Sequence, residues 1–134
     1  MAIRRGGSGN DTLFGTNEDD TMFGGEGNDT FVASAGEDFY FGEGGNDTVD
    51  YSRIASGGSF AGVNLGVTVS LQDGQGQEFG GDPLFDYYSS IENVTGSNFL
   101  DFIEGDGNAN ILRGLDGEDF IEGMGGADTL QGGD

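Results

Sequence analysis

Several residue types that most enzymes rely on are missing from this chain of 134 residues. It has no histidine, cysteine, lysine or tryptophan, and its single proline is Pro83. These absences exclude zinc sites built on His or Cys, Ser-His and Cys-His nucleophiles, Schiff bases and the Walker A lysine. No disulfide can form. An enzyme is therefore the least favoured interpretation, and the sequence predicts a protein without catalytic activity.

Positive charge is also scarce. Four arginines face 25 acidic residues, which gives a formal net charge of −21. Nucleic-acid-binding surfaces are basic, so the charge argues against a nucleic-acid partner. No apolar run approaches eighteen residues, which excludes a membrane-spanning helix. A chain with this charge and 29 glycines resists collapse. We therefore expect folding to require bound cations.

A nine-residue unit occupies most of the chain. Five units run without a gap from Gly6 to Asp50 and read GGSGNDTLF, GTNEDDTMF, GGEGNDTFV, ASAGEDFYF and GEGGNDTVD. The same frame returns at Gly96 as GSNFLDFIE, GDGNANILR, GLDGEDFIE and GMGGADTLQ, followed by GGD. We predict one domain with a first array (6–50), an irregular middle segment (51–95) and a second array (96–134) that stops inside a repeat.

Each unit combines a turn with a short strand. Its first six residues are rich in glycine, Asn and Asp, which tolerate turn conformations. Its last three place one apolar residue between two mostly polar ones, as in a strand with one inward side chain. Strands this short must stack to be stable, and two units close one coil of eighteen residues. Strands eighteen residues apart then lie side by side, about 4.8 Å apart, in an all-β fold.

This spacing also explains the aspartates at the sixth position. Carboxylates stacked about 4.8 Å apart repel one another unless a cation lies between them, and calcium binds oxygen at about 2.3–2.6 Å. The turn carbonyls can complete the six or more oxygen ligands that calcium prefers. The predicted side-chain ligands are Asp11, Asp20, Asp29, Asp38, Asp47, Asp101, Asn110, Asp119 and Asp128.

The turns are expected to supply the remaining ligands. The predicted turn positions are Gly6, Gly7, Gly9, Asn10, Gly24, Gly25, Gly27, Asn28, Gly36, Gly42, Gly45, Asn46, Gly114, Gly117 and Gly126. The same-edge pairs are 11–29, 29–47, 20–38, 101–119 and 110–128, with Asn110 as the weakest member. These pairs, with extra ions in the end turns, predict roughly four to seven Ca²⁺ ions.

The units resemble the RTX, or hemolysin-type, calcium-binding nonapeptide G-G-x-G-x-D-x-U-x, where U is a large apolar residue. The resemblance implies a right-handed parallel β-roll with calcium in its turns. It further implies a secreted bacterial protein that is exported in one step by a type I system and folds in extracellular calcium. Because the second array stops inside a repeat, we expect the chain to be part of a larger parent protein.

The middle segment suggests an alternative function. Val63, Leu65, Val67, Val69 and Leu71 alternate with smaller or polar residues and predict one longer strand. The loop 72–88 contains Pro83 and an aromatic cluster, which predicts either closure of the core or a surface that binds carbohydrate. The chain could then be a calcium-dependent recognition or adhesion module. Outward phenylalanines also need a cover, and Phe102 and Phe120 should stack on one outer face.

Overall fold

The structure is a computed structural model that describes residues 1–54, 59–60, 63–78 and 85–134. All regular elements in these residues are β-strands, and the described part of the chain contains no helix that could cross a membrane. The strands are β1 (Ile3–Arg5), β2 (Thr12–Phe14), β3 (Thr21–Glu26), β4 (Thr30–Val32), β5 (Phe39–Gly44), β6 (Thr48–Asp50), β7 (Ser59–Phe60), β8 (Val63–Ser70), β9 (Gln75–Glu78), β10 (Phe85–Ser89), β11 (Asn93–Thr95), β12 (Leu100–Glu104), β13 (Ile111–Arg113), β14 (Phe120–Glu122) and β15 (Thr129–Gln131).

Two sheets are formed by alternate strands of the chain. Sheet A has the order β1-β3-β5-β10-β9-β8-β12-β14, with β7 paired to β8. Sheet B has the order β2-β4-β6-β11-β13-β15. Within each array neighbouring strands are parallel and offset by eighteen residues, as Thr12, Thr30 and Thr48 show in sheet B. The predicted two-unit coil and the parallel β-roll are thereby confirmed.

The core lies between the two sheets and is built from the eighth position of each unit. Met22, Phe31, Tyr40 and Val49 are fully buried in the first array, and Ile103 and Leu112 are buried in the second. Leu13 and Ile121 are partly buried against this cluster. Leu130, in the last strand of sheet B, is 48% exposed. One inward side chain per strand is therefore sufficient, because each stacks on the next coil.

The middle segment enlarges sheet A alone. As predicted, β8 is a longer strand that buries Val67 and Val69, and the turn that follows it begins with the buried Leu71. The sequence did not predict β9, which pairs antiparallel with both β8 and β10. Strand β10 continues the first array by pairing parallel with β5, and β8 pairs parallel with β12. Sheet A is therefore not parallel throughout, because β9 is inserted between β10 and β8. The Pro83 loop lies outside the described residues.

Sheet B crosses the same region without an insertion. Strand β11 pairs parallel with β6 on one side and with β13 on the other. Asn93 lies beside Thr48 and beside Ile111, so the inward Val94 stacks between Val49 and Leu112. Strand β11 therefore joins the two arrays into one continuous sheet.

The first residues of the chain belong to the roll. Ile3–Arg5 form β1 and pair parallel with Thr21–Phe23 of β3. The reason is spacing, since Ile3 precedes Thr21 by the same eighteen residues that separate all array strands. The Arg5 guanidinium lies 4.3 Å from the centre of the Phe23 ring, which is a cation–π distance.

Aromatic rings stack on one another along the outer face of sheet A. The ring centres are 4.9 Å apart for Phe23 and Phe41 and 4.9 Å apart for Phe39 and Tyr87. The rings of these residues are half-buried, and Tyr87 of the middle segment extends the row. In the second array Phe102 stacks on Phe120 at 5.0 Å, as predicted.

Candidate calcium sites

The sixth residue of each unit stands directly before a strand, where the turn ends. On one edge of the roll the backbone N–H of Asp11 donates to Oδ1 of Asp29 at 2.8 Å. The N–H of Asp29 donates in the same way to Oδ1 of Asp47 at 2.8 Å. Each carboxylate therefore closes a hydrogen bond to the coil before it, and the three aspartates form the predicted column.

The other predicted pairs are connected in the same way. The N–H of Asp20 donates to Oδ1 of Asp38 at 2.8 Å on the opposite edge. In the second array the pairs 101–119 and 110–128 are each joined at 3.0 Å. The structure thus brings together all five pairs that the spacing singled out. Their role as calcium ligands remains a prediction.

Within the described part of the chain, three buried carboxylate oxygens have no hydrogen-bond partner. Oδ2 of Asp29, Asp47 and Asp119 is buried from solvent and accepts no hydrogen bond. A buried, unpaired carboxylate oxygen is costly, and a cation is the partner that satisfies it best. Asp29 and Asp47 lie on the edge where the sequence has the G-N-D turns, and Asp119 lies on the opposite edge in the second array. Oxygen ligands of this kind fit calcium.

The first glycine of each turn lies close to these carboxylate oxygens. A Cβ on Gly24 would lie 2.3 Å from Oδ2 of Asp29 and 2.8 Å from the carbonyl oxygen of Gly42 in the next coil. Gly114 has the same surroundings, with Oδ2 of Asp119 at 2.1 Å from the added atom. A carboxylate oxygen and a carbonyl oxygen from the next coil therefore lie close to each such glycine. Both oxygens are of the kind that binds calcium, and their approach excludes a side chain.

Other carboxylates of the columns are satisfied by their own turns. Oδ2 of Asp20 accepts hydrogen bonds from the N–H and the hydroxyl of Thr16, at 2.5 and 2.9 Å. Asp101 accepts from the N–H and the hydroxyl of Ser97, both at 2.7 Å. Serine or threonine at the second position thus provides donors that glycine lacks. The sequence prediction missed this role of Thr16 and Ser97, although residue type at the second position was a readable signal.

Asn110 behaves as the weak member of its column. Its Oδ1 accepts a hydrogen bond from the N–H of Asp106 at 2.9 Å, and its Nδ2 donates to the carbonyl oxygen of Glu92 at 2.8 Å. The amide nitrogen of Asn110 therefore donates a hydrogen bond to this carbonyl oxygen. An aspartate has no such donor and would need a cation between the two oxygens. This geometry agrees with the expectation of a weaker or absent ion at that coil.

The turn asparagines form a second ladder. The N–H of Asn28 donates to Oδ1 of Asn10 at 2.8 Å, and the N–H of Asn46 donates to Oδ1 of Asn28 at 3.0 Å. These side chains hold neighbouring turns together, so only their backbone carbonyls could serve a cation. Gly27 and Gly45 have φ values of 117° and 135°, which side-chain-bearing residues rarely adopt.

The remaining predicted turn residues lie in the same loops. Gly7 donates its N–H to Oδ2 of Asp11 at 2.6 Å, and Gly9 has open space around it. Residues with positive φ in the other turns are Gly25, Gly36, Gly117 and Gly126. Among the described residues no three acidic side chains converge on one point. A cation bound here must therefore take much of its coordination from backbone carbonyls.

Burial is the largest influence on the shifted pKa values of the column aspartates. Burial raises the pKa of Asp38 to about 6, against hydrogen bonds from Asp20, Tyr40 and Ser34 that lower it. Burial also raises the pKa values of Asp47, Asp101 and Asp119. For Asp20, burial acts in the same direction, but the hydrogen bonds from Thr16 and Ala2 together outweigh it and lower the pKa. In the absence of a cation, most of these sites therefore oppose the charged carboxylate.

A tyrosine network replaces the column at the middle of sheet A. Asp86 lies where the next aspartate after Asp38 is needed, and its Oδ1 accepts the N–H of Asp38 at 3.0 Å. The hydroxyl of Tyr51 donates to Oδ2 of Asp86 at 2.5 Å and also bonds the hydroxyl of Tyr88. The sequence prediction missed Asp86, because the insertion shifts it out of the nine-residue frame.

Stacked coils that present one turn carboxylate per strand define a repeat β-roll of the calcium-binding type. The model of the RTX calcium-binding nonapeptide repeat matches the chain in four copies, at residues 5–40, 14–49, 90–120 and 104–134. These copies cover about two thirds of the chain, so the chain belongs to the RTX calcium-binding nonapeptide repeat family. A search of curated proteins gave no significant match.

Proposed function

We propose that this chain is a calcium-binding RTX module that folds when calcium occupies its turns. The observation that carries the proposal is the set of buried carboxylate oxygens of Asp29, Asp47 and Asp119 that lack any hydrogen-bond partner. When bound, calcium would neutralise the stacked carboxylates. The protein would contribute the aspartates of each column and the turn carbonyls beside the first glycine.

We propose roughly four to seven ions, with the first array as the stronger part. The edge formed by Asp11, Asp29 and Asp47 has unsatisfied oxygens and G-N-D turns, which favours tight binding there. At Asp20 and Asp101 the turn hydroxyls already satisfy the carboxylates, which favours weaker binding. The two arrays and the middle segment would act as one domain, because sheet B runs through all three.

The proposed biological role is folding outside the cell. Proteins of this repeat family are typically secreted by bacteria, and the repeat is a structural module that is not typically enzymatic. A net charge of −21 keeps a metal-free chain expanded, whereas bound cations reduce this self-repulsion. The module would thus stay unfolded in low calcium and fold on type I export as part of a larger parent protein.

A calcium titration of the metal-stripped chain, followed by far-UV circular dichroism, tests this proposal. We expect a cooperative gain of β signal with calcium and none with magnesium, because magnesium demands octahedral coordination and retains its waters. A complete β signal without any divalent cation would overturn the proposal that calcium drives folding. Equal responses to calcium and magnesium would overturn the calcium specificity.

A groove on the outer face of sheet A supports a second role, recognition of carbohydrate. It has a volume of about 390 Å³ and is lined by outward side chains of β8, β12 and β14, among them Thr68, Ser70, Phe102, Glu104, Phe120 and Glu122. A smaller hollow beside it includes Asp73, Gln75 and Phe85 of the 72–88 segment. Aromatic rings next to hydroxyl and carboxylate groups are the combination that binds sugars.

A glycan-array measurement in calcium, with Phe120→Ala as the test variant, examines this second role. Phe120 is 62% exposed and lies in the groove, whereas Phe14 is 46% exposed on the outer face of sheet B. Phe14→Ala is therefore a matched control. We expect at least a tenfold loss of glycan affinity for Phe120→Ala and none for Phe14→Ala. Absence of glycan binding by the unmodified chain would contradict recognition by this groove.

A further inference from the structure

The aspartate column on the G-N-D edge does not end with the first array. Strand β11 places Asn93 beside Thr48, so Glu92 occupies the position that follows Asp47 in the column. The N–H of Asp47 donates to Oε2 of Glu92 at 2.9 Å. This bond matches the one from Asp29 to Asp47, at 2.8 Å, in length and in the groups involved. Glu92 therefore acts as the aspartate of a further coil.

An unsatisfied oxygen points into the space between these two coils. Asp47 is fully buried, and its Oδ2 accepts no hydrogen bond. A Cβ on Gly42 would lie 2.3 Å from this oxygen and 1.9 Å from the carbonyl oxygen of Ser90. Ser90 thus presents its carbonyl where Gly24 and Gly42 present theirs in the preceding coils. The same three elements, a bare glycine Cα, an unpaired carboxylate oxygen and a carbonyl from the next coil, recur here.

The connection to sheet B is shorter on the middle-segment side. In sheet A Phe41 pairs with Ser89, and from Phe41 the first array needs six residues, 42–47, to reach the column. In the middle segment Ser90–Glu92 cover the same step with three residues, and Ser90 adopts a φ of 54°. The shorter turn offers fewer carbonyl oxygens. Glutamate can compensate in part, because its carboxylate can bind a cation with both oxygens.

We propose that Asp47, Glu92 and the carbonyl oxygen of Ser90 form a further divalent-cation site at the junction between the first array and the middle segment. The inference rests on the proposed function and adds a site that the nonapeptide turns alone do not contain. Because its turn is short, this site binds calcium more weakly than the pair 29–47. It links the first array to β11, and thereby to the second array.

The opposite edge of the junction carries no such site. There Oδ2 of Asp86 accepts the Tyr51 hydroxyl, and Oδ2 of Asp38 accepts the Tyr40 hydroxyl at 3.0 Å. Hydroxyl donors thus replace a cation between these two carboxylates. Neighbouring carboxylates are thus compensated by a cation on one edge of the roll and by hydroxyl donors on the other. The two edges can be compared within the same protein.

The test counts calcium ions bound per chain by equilibrium dialysis, in the unmodified chain and in Glu92→Gln. Glutamine keeps an oxygen that can accept the Asp47 N–H but loses the charge. We expect one ion fewer, or at least a tenfold weaker affinity for one ion. Glu122→Gln, at an exposed glutamate on the outer face of sheet A, is the matched control and should bind the full number.

Circular dichroism in saturating calcium establishes that each variant is folded. An unchanged ion count and affinity in Glu92→Gln would overturn the junction site while leaving the proposed function intact. If the unmodified chain binds no calcium, both proposals fail. Should Glu92→Gln not fold, Glu92→Asp decides: aspartate keeps the charge but reaches less far from the short turn, so a weaker affinity for one ion supports the site, and an unchanged ion count and affinity overturn it.

Discussion

The Cα of Gly24 faces the carboxylate of Asp29 so closely that a methyl group on Gly24 would lie 2.3 Å from Oδ2. The same methyl group would lie 2.8 Å from the carbonyl oxygen of Gly42. No real Cβ approaches other atoms at these distances, and one of the two atoms is backbone. The first residue of this turn must therefore be glycine, because a side chain would collide with these two oxygens.

Gly24→Ala should accordingly destroy the calcium site and the local packing together. We expect a loss of about 1–3 kcal/mol in the free energy of unfolding in calcium, the usual cost of overpacking. Gly9→Ala is the matched control, because a Cβ at Gly9 meets no atom within 4 Å. Thermal unfolding of both variants in calcium measures the difference. Equal melting temperatures would contradict the proposed role of the first glycine.

Asp47→Asn should have opposite effects with and without calcium. Without calcium the substitution removes a buried charge that lacks a partner at Oδ2, which should stabilise the fold by about 1–3 kcal/mol. With calcium it removes a charged ligand and should destabilise by a similar amount. The measurement is chemical denaturation in calcium and the β signal in circular dichroism without it, with the exposed Asp116→Asn as control. A change of the same sign in both conditions would contradict a cation at this carboxylate.

The metal-free chain should become more stable as the pH falls from 7 towards 4. Burial raises the pKa of Asp38 from 3.8 to about 6, so the folded state binds a proton more tightly than the unfolded state. Stability from this group is complete below pH 4 and is lost as the pH rises through 6, with a total of about 3 kcal/mol. The raised pKa values of Asp47, Asp101 and Asp119 act in the same direction.

Two groups set the lower limit of this pH window. Hydrogen bonds overcome burial and lower the pKa values of Asp20 and Asp106, so their contribution is lost when the pH falls below about 4. Calcium should reverse the trend above pH 4, since protons compete with the ion for the carboxylates. The β signal of metal-stripped protein, followed by far-UV circular dichroism between pH 8 and 4, checks the prediction, with Asp38→Asn expected to flatten the profile. Stability that rises with pH in the absence of calcium would contradict it.

Tyr51→Phe should destabilise the calcium-bound fold without changing the number of calcium ions bound. The Tyr51 side chain is buried, and its hydroxyl donates to Asp86 at 2.5 Å. Loss of one buried hydrogen bond costs about 1–3 kcal/mol. Chemical denaturation in calcium measures this loss, and equilibrium dialysis should give the full ion count because hydroxyls already satisfy this carboxylate. One ion fewer than in the unmodified chain would indicate a cation site at Asp86 instead.

The arrays could be predicted from the sequence because every structural requirement repeats with the same period. Position eight identified Met22, Phe31 and Val49 as core, and position six identified the aspartate columns. The position of Glu92 was also readable, because the 45 residues of the middle segment equal five units and keep the frame. That regularity can arise by chance, and only the pairing of Asn93 with Thr48 establishes it.

The insertion in sheet A could not be predicted in the same way. Strand β9 reads QGQE, has no apolar alternation, and is held as a strand by its neighbours β8 and β10. Asp86 lies outside the frame, and its alignment with Asp38 depends on the register between β10 and β5. The formation of β9 and the alignment of Asp86 with Asp38 both depend on pairing between distant segments. The arrays, in contrast, can be predicted from the local sequence of each unit.

The unequal strand numbers of the two sheets have a geometric consequence. Along its main path sheet A contains eight strands, whereas sheet B contains six over the same coils. At about 4.8 Å per strand, sheet A is longer by about 10 Å, although the two sheets pack face to face. The extra length comes from β8 and β9, which therefore have no counterpart strands in sheet B.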